Sequence, residues 1–280
     1  MTREVIGAPA APRYLRRMGA MLAVGDHLRE WRQRRRMSQL DLACEAAISA
    51  RHLSFLETGR STPSREMILH LAEQLEIPVR ERNVLLVSAG YAPVFPERAL
   101  DDPQLSAARA AIDQVLEGHK PFPAFAVDRR WTIVASNGAL PQMYEGVSPV
   151  LMQAPVNALR LSLHPDGLAP RTVNLAEWRA HLLARLRQQI DLTADPGLMD
   201  LLTELQAYPA PRSHPARPGA PRAPGVIVPF QLRVGEAVLS FFSTTMVFGT
   251  PIDITLSELA VESFFPADAE TAARVRAMAG

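Results

Sequence analysis

Ser38-Gln-Leu-Asp-Leu-Ala-Cys-Glu-Ala-Ala-Ile-Ser-Ala-Arg-His-Leu-Ser-Phe-Leu-Glu-Thr-Gly-Arg60 is the stretch on which the reading of the whole chain turns. Ser38 and Ser49 each stand where a side-chain oxygen can accept from the unpaired N–H groups that open a helix. The pattern predicts a helix from Gln39 to Glu45, a short turn through Ala46 and Ala47, and a helix from Ala50 to Thr58 that buries Leu53 and Leu56. Gly59 supplies the backbone freedom needed just past a helix C-terminus. Upstream, a helix over Asp26–Arg35 sets Leu28, Trp31 and Arg35 on adjacent turns. Downstream, Ser64 opens a helix with an apolar face of Met67, Ile68, Leu71, Ala72 and Leu75, and Pro78 suits the first turn of the next. Two helices about a tight turn with small residues at the crossing form a helix-turn-helix unit.

That geometry lays the second helix in a DNA major groove, its N-terminal residues at base edges. Those residues are Ala50, Arg51 and, one turn on, Phe55. Arg51 can donate two parallel hydrogen bonds to guanine, worth about 1–3 kcal/mol of discrimination. Ala50 and Phe55 are either methyl contacts to thymine or plain packing residues. Gln39, His52, Ser54, Thr58, Arg60 and Ser61 are placed to bond phosphates, which sets register without reading sequence; Ser49 completes this candidate face. Arg32, Arg34, Arg35 and Arg36 are open to two readings, a solvated helix face or further phosphate contacts.

The 30 basic and 29 acidic residues leave a formal charge of +1, so affinity for nucleic acid must come from a local face and not from bulk charge. Lys120 is the only lysine, a bias along the whole chain that fits codon composition better than selection for phosphate binding. With 48% hydrophobic residues there is ample material for a core. A single cysteine, Cys44, excludes a disulfide or a thiolate zinc site within one chain. No signal-peptide-like run or membrane-length apolar run is evident, and a cytoplasmic location is expected.

The expected organisation is a mobile arm over 1–23, the helical domain over 24–92, a linker over 93–104 broken by Pro93, Pro96 and Pro103, and an α+β domain over 105–280. In the latter, Ala124–Val127 and Thr132–Ser136 flank Asp128-Arg129-Arg130 as a hairpin. Leu175, Trp178, Leu182, Leu186 and Ile190 form one helical stripe. A short helix fits 196–205, proline-rich 207–225 reads as an exposed loop, strands follow at Val226–Leu232 and Ala237–Phe248, and a helix starts at Ala267. On the last strand, Val238, Phe242, Met246 and Phe248, with Ser240 and Thr244 between them, share one face. Such a face suits either a ligand pocket or an ordinary sheet core.

The stretch 38–60, with Pro63-Ser64, resembles the XRE-type, phage-repressor-like helix-turn-helix family. The resemblance implies a five-helix domain, a Gln39 side chain against the phosphate backbone, and a buried ion pair between Arg32 and Glu57. Phe55 departs from many relatives, which carry a polar residue there. From about Leu105 the chain resembles the ligand-binding half of MmyB-like transcription regulators. The matching segments are Pro123–Trp131 with Asn137, Leu161–Leu168, Asn174 with Trp178-Arg179, Leu239–Thr245, Phe248–Pro251 and Leu256–Ala260. This resemblance implies a PAS-like fold, a curved antiparallel sheet with helices over one face, and a pocket for a small apolar, fatty-acid-like ligand. Candidate lining residues are Phe125, Met143, Tyr144, Leu151, Phe242, Thr244 and Met246.

The function expected is that of a homodimeric regulator, a repressor on family habit, that binds palindromic double-stranded DNA and no membrane. An alternative makes the second domain a ligand-free protein-interaction module. An enzyme is not expected. His164-Pro-Asp-Gly167 is first a turn sequence, no nucleophile or metal-ligand set accompanies it, and no cofactor is implied beyond a bound lipid-like molecule.

Overall fold

The computed structural model describes residues 23–209, 227–249, 251 and 253–279. The arm expected over 1–23, apart from Ala23, and most of the proline-rich loop lie outside these residues. The chain divides into two compact units, the first comprising the residues up to Glu97 together with 252–254, and the second Arg98–Pro251 together with the residues from Thr255 onward.

Among the described residues the first unit contains five helices: α1 (Val24–Arg34), α2 (Gln39–Glu45), α3 (Ala50–Glu57), α4 (Arg65–Gln74) and α5 (Val79–Ser88). Their starts follow local chemistry. The Ser38 hydroxyl accepts from Asp41 N at 3.1 Å, and the Asp41 carboxylate accepts from Ser38 N at 2.7 Å, a reciprocal box. Ser49 and Ser64 cap α3 and α4 through His52 N and Met67 N. Pro78 is the residue before α5, one position earlier than expected. Leu28, Leu42, Leu53, Ile68, Leu71 and Leu75 are fully buried and form the common core. Ala47 closes the α2–α3 turn at φ 51°, a left-handed conformation that costs an alanine about 1–2 kcal/mol.

The segment read as a linker is fastened at its start. Asn83 on α5 accepts from Val94 N and Phe95 N and donates to the Phe95 carbonyl, and Arg80 pairs with Glu97 at 2.7 Å. One buried amide side chain thus satisfies three backbone groups that the prolines keep out of helix.

The second unit holds α6 (Ser106–Gly118), β1 (Ala124–Val127), β2 (Ile133–Ser136), α7 (Ala158–Leu163), α8 (Leu175–Thr193), α9 (Pro196–Ala207), β3 (Phe230–Val234), β4 (Ala237–Val247), the single turn α10 (Ile254–Ser257) apart from its first residue, β5 (Ala260–Pro266) and α11 (Ala269–Ala279). The curved antiparallel sheet runs β2-β1-β5-β4-β3. β3 begins at Phe230, later than the expected Val226, and β5 was not foreseen at all. Its Glu262 and Ser263 break any apolar run, yet it is the central strand.

Sheet parity separates two cores. Phe125, Val127, Phe230, Leu232, Leu239, Phe241 and Phe264 belong to the cluster that includes residues of α7, α8 and α9. Ala124, Ala126 and Val261, on the other face, pack with Ile112 and Leu116 of α6. Asn137, 2% exposed, bonds the Leu116 and Phe122 carbonyls and the Ala124 amide, joining α6 to the first hairpin. Asn174 does the same for α8 and β3, donating to Pro229 O and accepting from Gln231 N.

Gly25 allows the start of α1 to lie on the end of α3. A Cβ there would stand 2.4 Å from the Leu56 carbonyl oxygen, a backbone atom that no rotamer change can move. We expect Gly25→Ala to destabilise the first unit by about 1–3 kcal/mol. Native-state hydrogen exchange of the α1 and α3 amides reads this directly, and unchanged protection would show that the helices separate without cost.

Candidate nucleic-acid interface and ligand cavity

α3 has two unlike sides. Leu53, Leu56 and Glu57 are buried, whereas Arg51, Thr58 and Arg60 are exposed and Ala50, His52, Ser54, Phe55 and Ser61 are half-exposed. Ser49 is exposed, with its hydroxyl engaged as the cap. The Thr58 hydroxyl donates to Ser54 O at 2.7 Å, closing the last turn. Phe55 lies between two cations: the Arg51 and Arg60 guanidinium carbons sit 5.4 and 5.9 Å from its ring centre. Guanidinium over an aromatic face is attractive. Phe55 is thus within cation–π range of both arginines.

The position of α3 is set by Glu57. Its carboxylate takes two hydrogen bonds from Arg32, at 2.6 and 2.9 Å, and a third from the Gln39 amide at 2.8 Å; Arg29 stands 3.6 Å away. Burial pushes the Glu57 carboxyl upward, but the bonds from Arg32 and Gln39 and the nearby positive charges outweigh it and hold the pKa below its ordinary value. Gln39, expected against a phosphate, thus spends one N–H within the protein.

The four arginines left open by the sequence separate here. Arg32 is consumed by Glu57 and the Met37 carbonyl. Arg35 caps the end of α4 through the Leu75 and Glu76 carbonyls. Arg34 pairs with Glu30 on the surface, and Arg36 is exposed at φ 57°.

In the second unit, α7 and α8 cover a cavity lined by Phe125, Ile133, Leu140, Met143, Tyr144, Leu161, Leu168, Trp178, Phe230, Phe241 and Phe264, with Pro123, Ala158 and Ser162. Trp178 donates to the Ser162 hydroxyl at 3.0 Å, which fixes the indole as one wall. Burial raises the pKa of the Tyr144 phenol, which stays neutral.

Of the expected lining residues, Phe125, Met143 and Tyr144 line this cavity. Phe242, Thr244 and Met246 do not: they lie on the opposite face of β4, with Phe242 stacked on Phe265 at 5.3 Å and Thr244 and Met246 exposed. Val238 and Phe242 on one parity and Leu239 and Phe241 on the other are all apolar, so the strand itself does not say which face is inside; its partners decide. Leu151 is half-buried and also outside the lining. Missed altogether were Phe230, Phe241 and Phe264, on strands, and Trp178, whose helical stripe was read as ordinary packing.

His164 is a turn residue. Its Nδ1 accepts from Asp166 N at 3.0 Å, its ring meets Tyr208 edge-on, and a Cβ at Gly167 would strike the Leu161 carbonyl. Arg129 and Arg130 at the hairpin tip pair with Asp195, the N-cap of α9. Among the described residues no group of three or more His, Cys, Asp and Glu is placed to hold a metal, and no helix is long and apolar enough to cross a membrane.

A five-helix unit presenting one helix outward, followed in the same chain by an α+β unit built around an apolar cavity, defines a DNA-binding transcription regulator with a ligand-binding domain. Residues 23–85 match the helix-turn-helix domain family, and residues 108–278 match the MmyB-like transcription regulator ligand binding domain. The second match spans more than half of the chain, which belongs to the MmyB-like transcription regulators. No curated protein matches the chain.

Because the folded Glu57 pKa is lowered, the stability it contributes is present above the unfolded carboxylate range, near pH 4.3, and is lost as pH falls through the lower folded value. Glu57→Ala, which leaves Arg32 buried without its partner, should cost about 3–5 kcal/mol. Hydrogen exchange in α1 and α3 as a function of pH checks both expectations. Protection in Glu57→Gln that falls off with acid as steeply as in the wild type would remove Glu57 as the cause.

Proposed function

We propose that this protein is a homodimeric repressor that reads a palindromic operator with α3 and releases or tightens on DNA when an apolar, fatty-acid-like molecule occupies the second unit. The carrying observation is the two-sidedness of α3: its inner side is wholly buried, and its outer side presents Arg51, Phe55 and Arg60 together. Arg51 reads a base edge, with Ala50 beside it. Phe55 keeps both guanidinium groups in place. Ser49, His52, Ser54, Arg60, Ser61 and the remaining amide capacity of Gln39 bind the sugar–phosphate backbone, and Thr58 joins them by exchanging its hydroxyl bond to Ser54 O for one to a phosphate. Repression is the simplest output, because occupancy of DNA alone excludes polymerase. Two copies would place their α3 helices about 34–36 Å apart on the duplex.

The reading of the second unit rests on its aromatic-lined cavity, whose apolar wall with few polar groups has the lining of a small-molecule site. A ligand changes DNA affinity only through unequal affinity for two conformations of the protein. The ligand-free alternative is distinguished by mass spectrometry of whatever co-purifies with the protein.

Arg51→Ala is expected to reduce the preference for selected operator over random duplex by about 5- to 150-fold, the equivalent of 1–3 kcal/mol, while leaving nonspecific binding nearly intact. Selection of binding sites from a random duplex pool, followed by titration at fixed salt, measures this ratio. An unchanged ratio would remove Arg51 from the reading residues.

A further inference from the structure

The apolar cavity has a neighbour that differs from it in chemistry. A second space shares Phe125, Ala158, Ser162, Trp178 and Phe264 with the first, but its wall also contains Arg185, Ser243 and Glu262. In the first space the polar side chains are Tyr144, which has no hydrogen-bond partner among the described residues, and Ser162, whose hydroxyl is bonded by Trp178. The site is therefore graded, from aromatic and aliphatic at one end to an ion pair at the other.

The ion pair is closed on itself. Arg185 Nη1 donates to Glu262 Oε2 at 3.1 Å, and Nη2 donates to Glu262 Oε1 and, at 2.6 Å, to Thr245 Oγ1. The Thr245 hydroxyl donates to Glu262 Oε1 at 2.9 Å. The guanidinium also lies 4.9 Å from the Trp131 ring centre. The Glu262 side chain is only 3% exposed. Three of the five N–H donors of an arginine are thus used, and two remain.

Charge arithmetic then selects the ligand's head. An ionised carboxylate could claim Arg185 only by displacing Glu262, which would leave a buried anion without a partner, or by sitting beside that anion. An ammonium group would meet Arg185 in the same way. A neutral group that donates and accepts can use the free arginine N–H groups and the Ser243 hydroxyl while the pair stays intact. We propose that the cavity takes a neutral amphiphile, with its hydrocarbon in the aromatic space and an uncharged hydroxyl or amide head at Arg185, Glu262 and Ser243. This rests on the cavity being a ligand site and narrows the fatty-acid-like class to uncharged heads.

Four probes with one tail test it on the delipidated full-length protein at neutral pH: decanol, decanamide, decanoate and decylammonium, each titrated by displacement of a lipophilic fluorophore. Decanol and decanamide are expected to bind at least about ten-fold more tightly than either ion, the equivalent of 1.4 kcal/mol. Glu262→Gln, which frees the arginine for an anion, should bring decanoate to the tightest of the four. The double variant Arg185→Gln with Glu262→Gln buries no unpaired charge and should bind decanol while no longer favouring decanoate. Decanoate binding the wild type as tightly as decanol would overturn the head-group assignment and leave the cavity as a lipid site. Binding of none of the four would overturn the cavity reading itself, and this proposal with it.

Discussion

The Arg32–Glu57 ion pair is the constraint on which the DNA-binding unit depends. It is bidentate, buried, and joins α1 to the last residue of α3, with Gln39 adding α2 to the same carboxylate. A buried pair of this kind contributes little net stability over a well-packed apolar replacement, since desolvation offsets most of the attraction. Its contribution is to permit one angle between helices and penalise others. Gly25 completes that function from the opposite direction, because only a residue without a side chain lets α1 approach the α3 carbonyls. The outward face of α3 is thus held by contacts made entirely on its inward face.

The second unit reaches a comparable result with amide side chains and aromatic packing. Asn137, Asn174 and the Trp178–Ser162 bond connect elements distant in sequence at the rim of the cavity. Each satisfies backbone or indole groups that would otherwise be buried at a cost. The cavity survives because its wall is fixed by these joints and by large rings that cannot collapse into the space between them.

Legibility in the sequence followed the range of the interaction responsible. The caps at Ser38, Ser49 and Ser64 are local, and the helices they open begin as the spacing predicts. The Arg32–Glu57 pair spans 25 residues and entered through family resemblance, not through periodicity. Strand β5 was invisible because its buried Glu262 is balanced by Arg185, 77 residues earlier, and no local pattern reports such a partner. The misplaced cavity residues on β4 have the same origin. A strand with apolar residues at both parities needs its neighbours to show which side is inside, so Phe241 was passed over for Phe242. Phe55 was noticed as a departure, but its reason, two flanking guanidinium groups, required coordinates.

The strand order carries a consequence for how the protein is made. The centre of the sheet is supplied by residues 260–266, which follow both flanking hairpins in the chain. Until these residues pair, the β1 edge and the β4 edge are open rows of backbone donors and acceptors, which other nascent chains can pair with. A chain interrupted before Ala260 would retain two hairpins with no sheet to join. The sheet of this domain is therefore continuous only once its last strand is in place, and its two inner edges stay open to wrong partners until then.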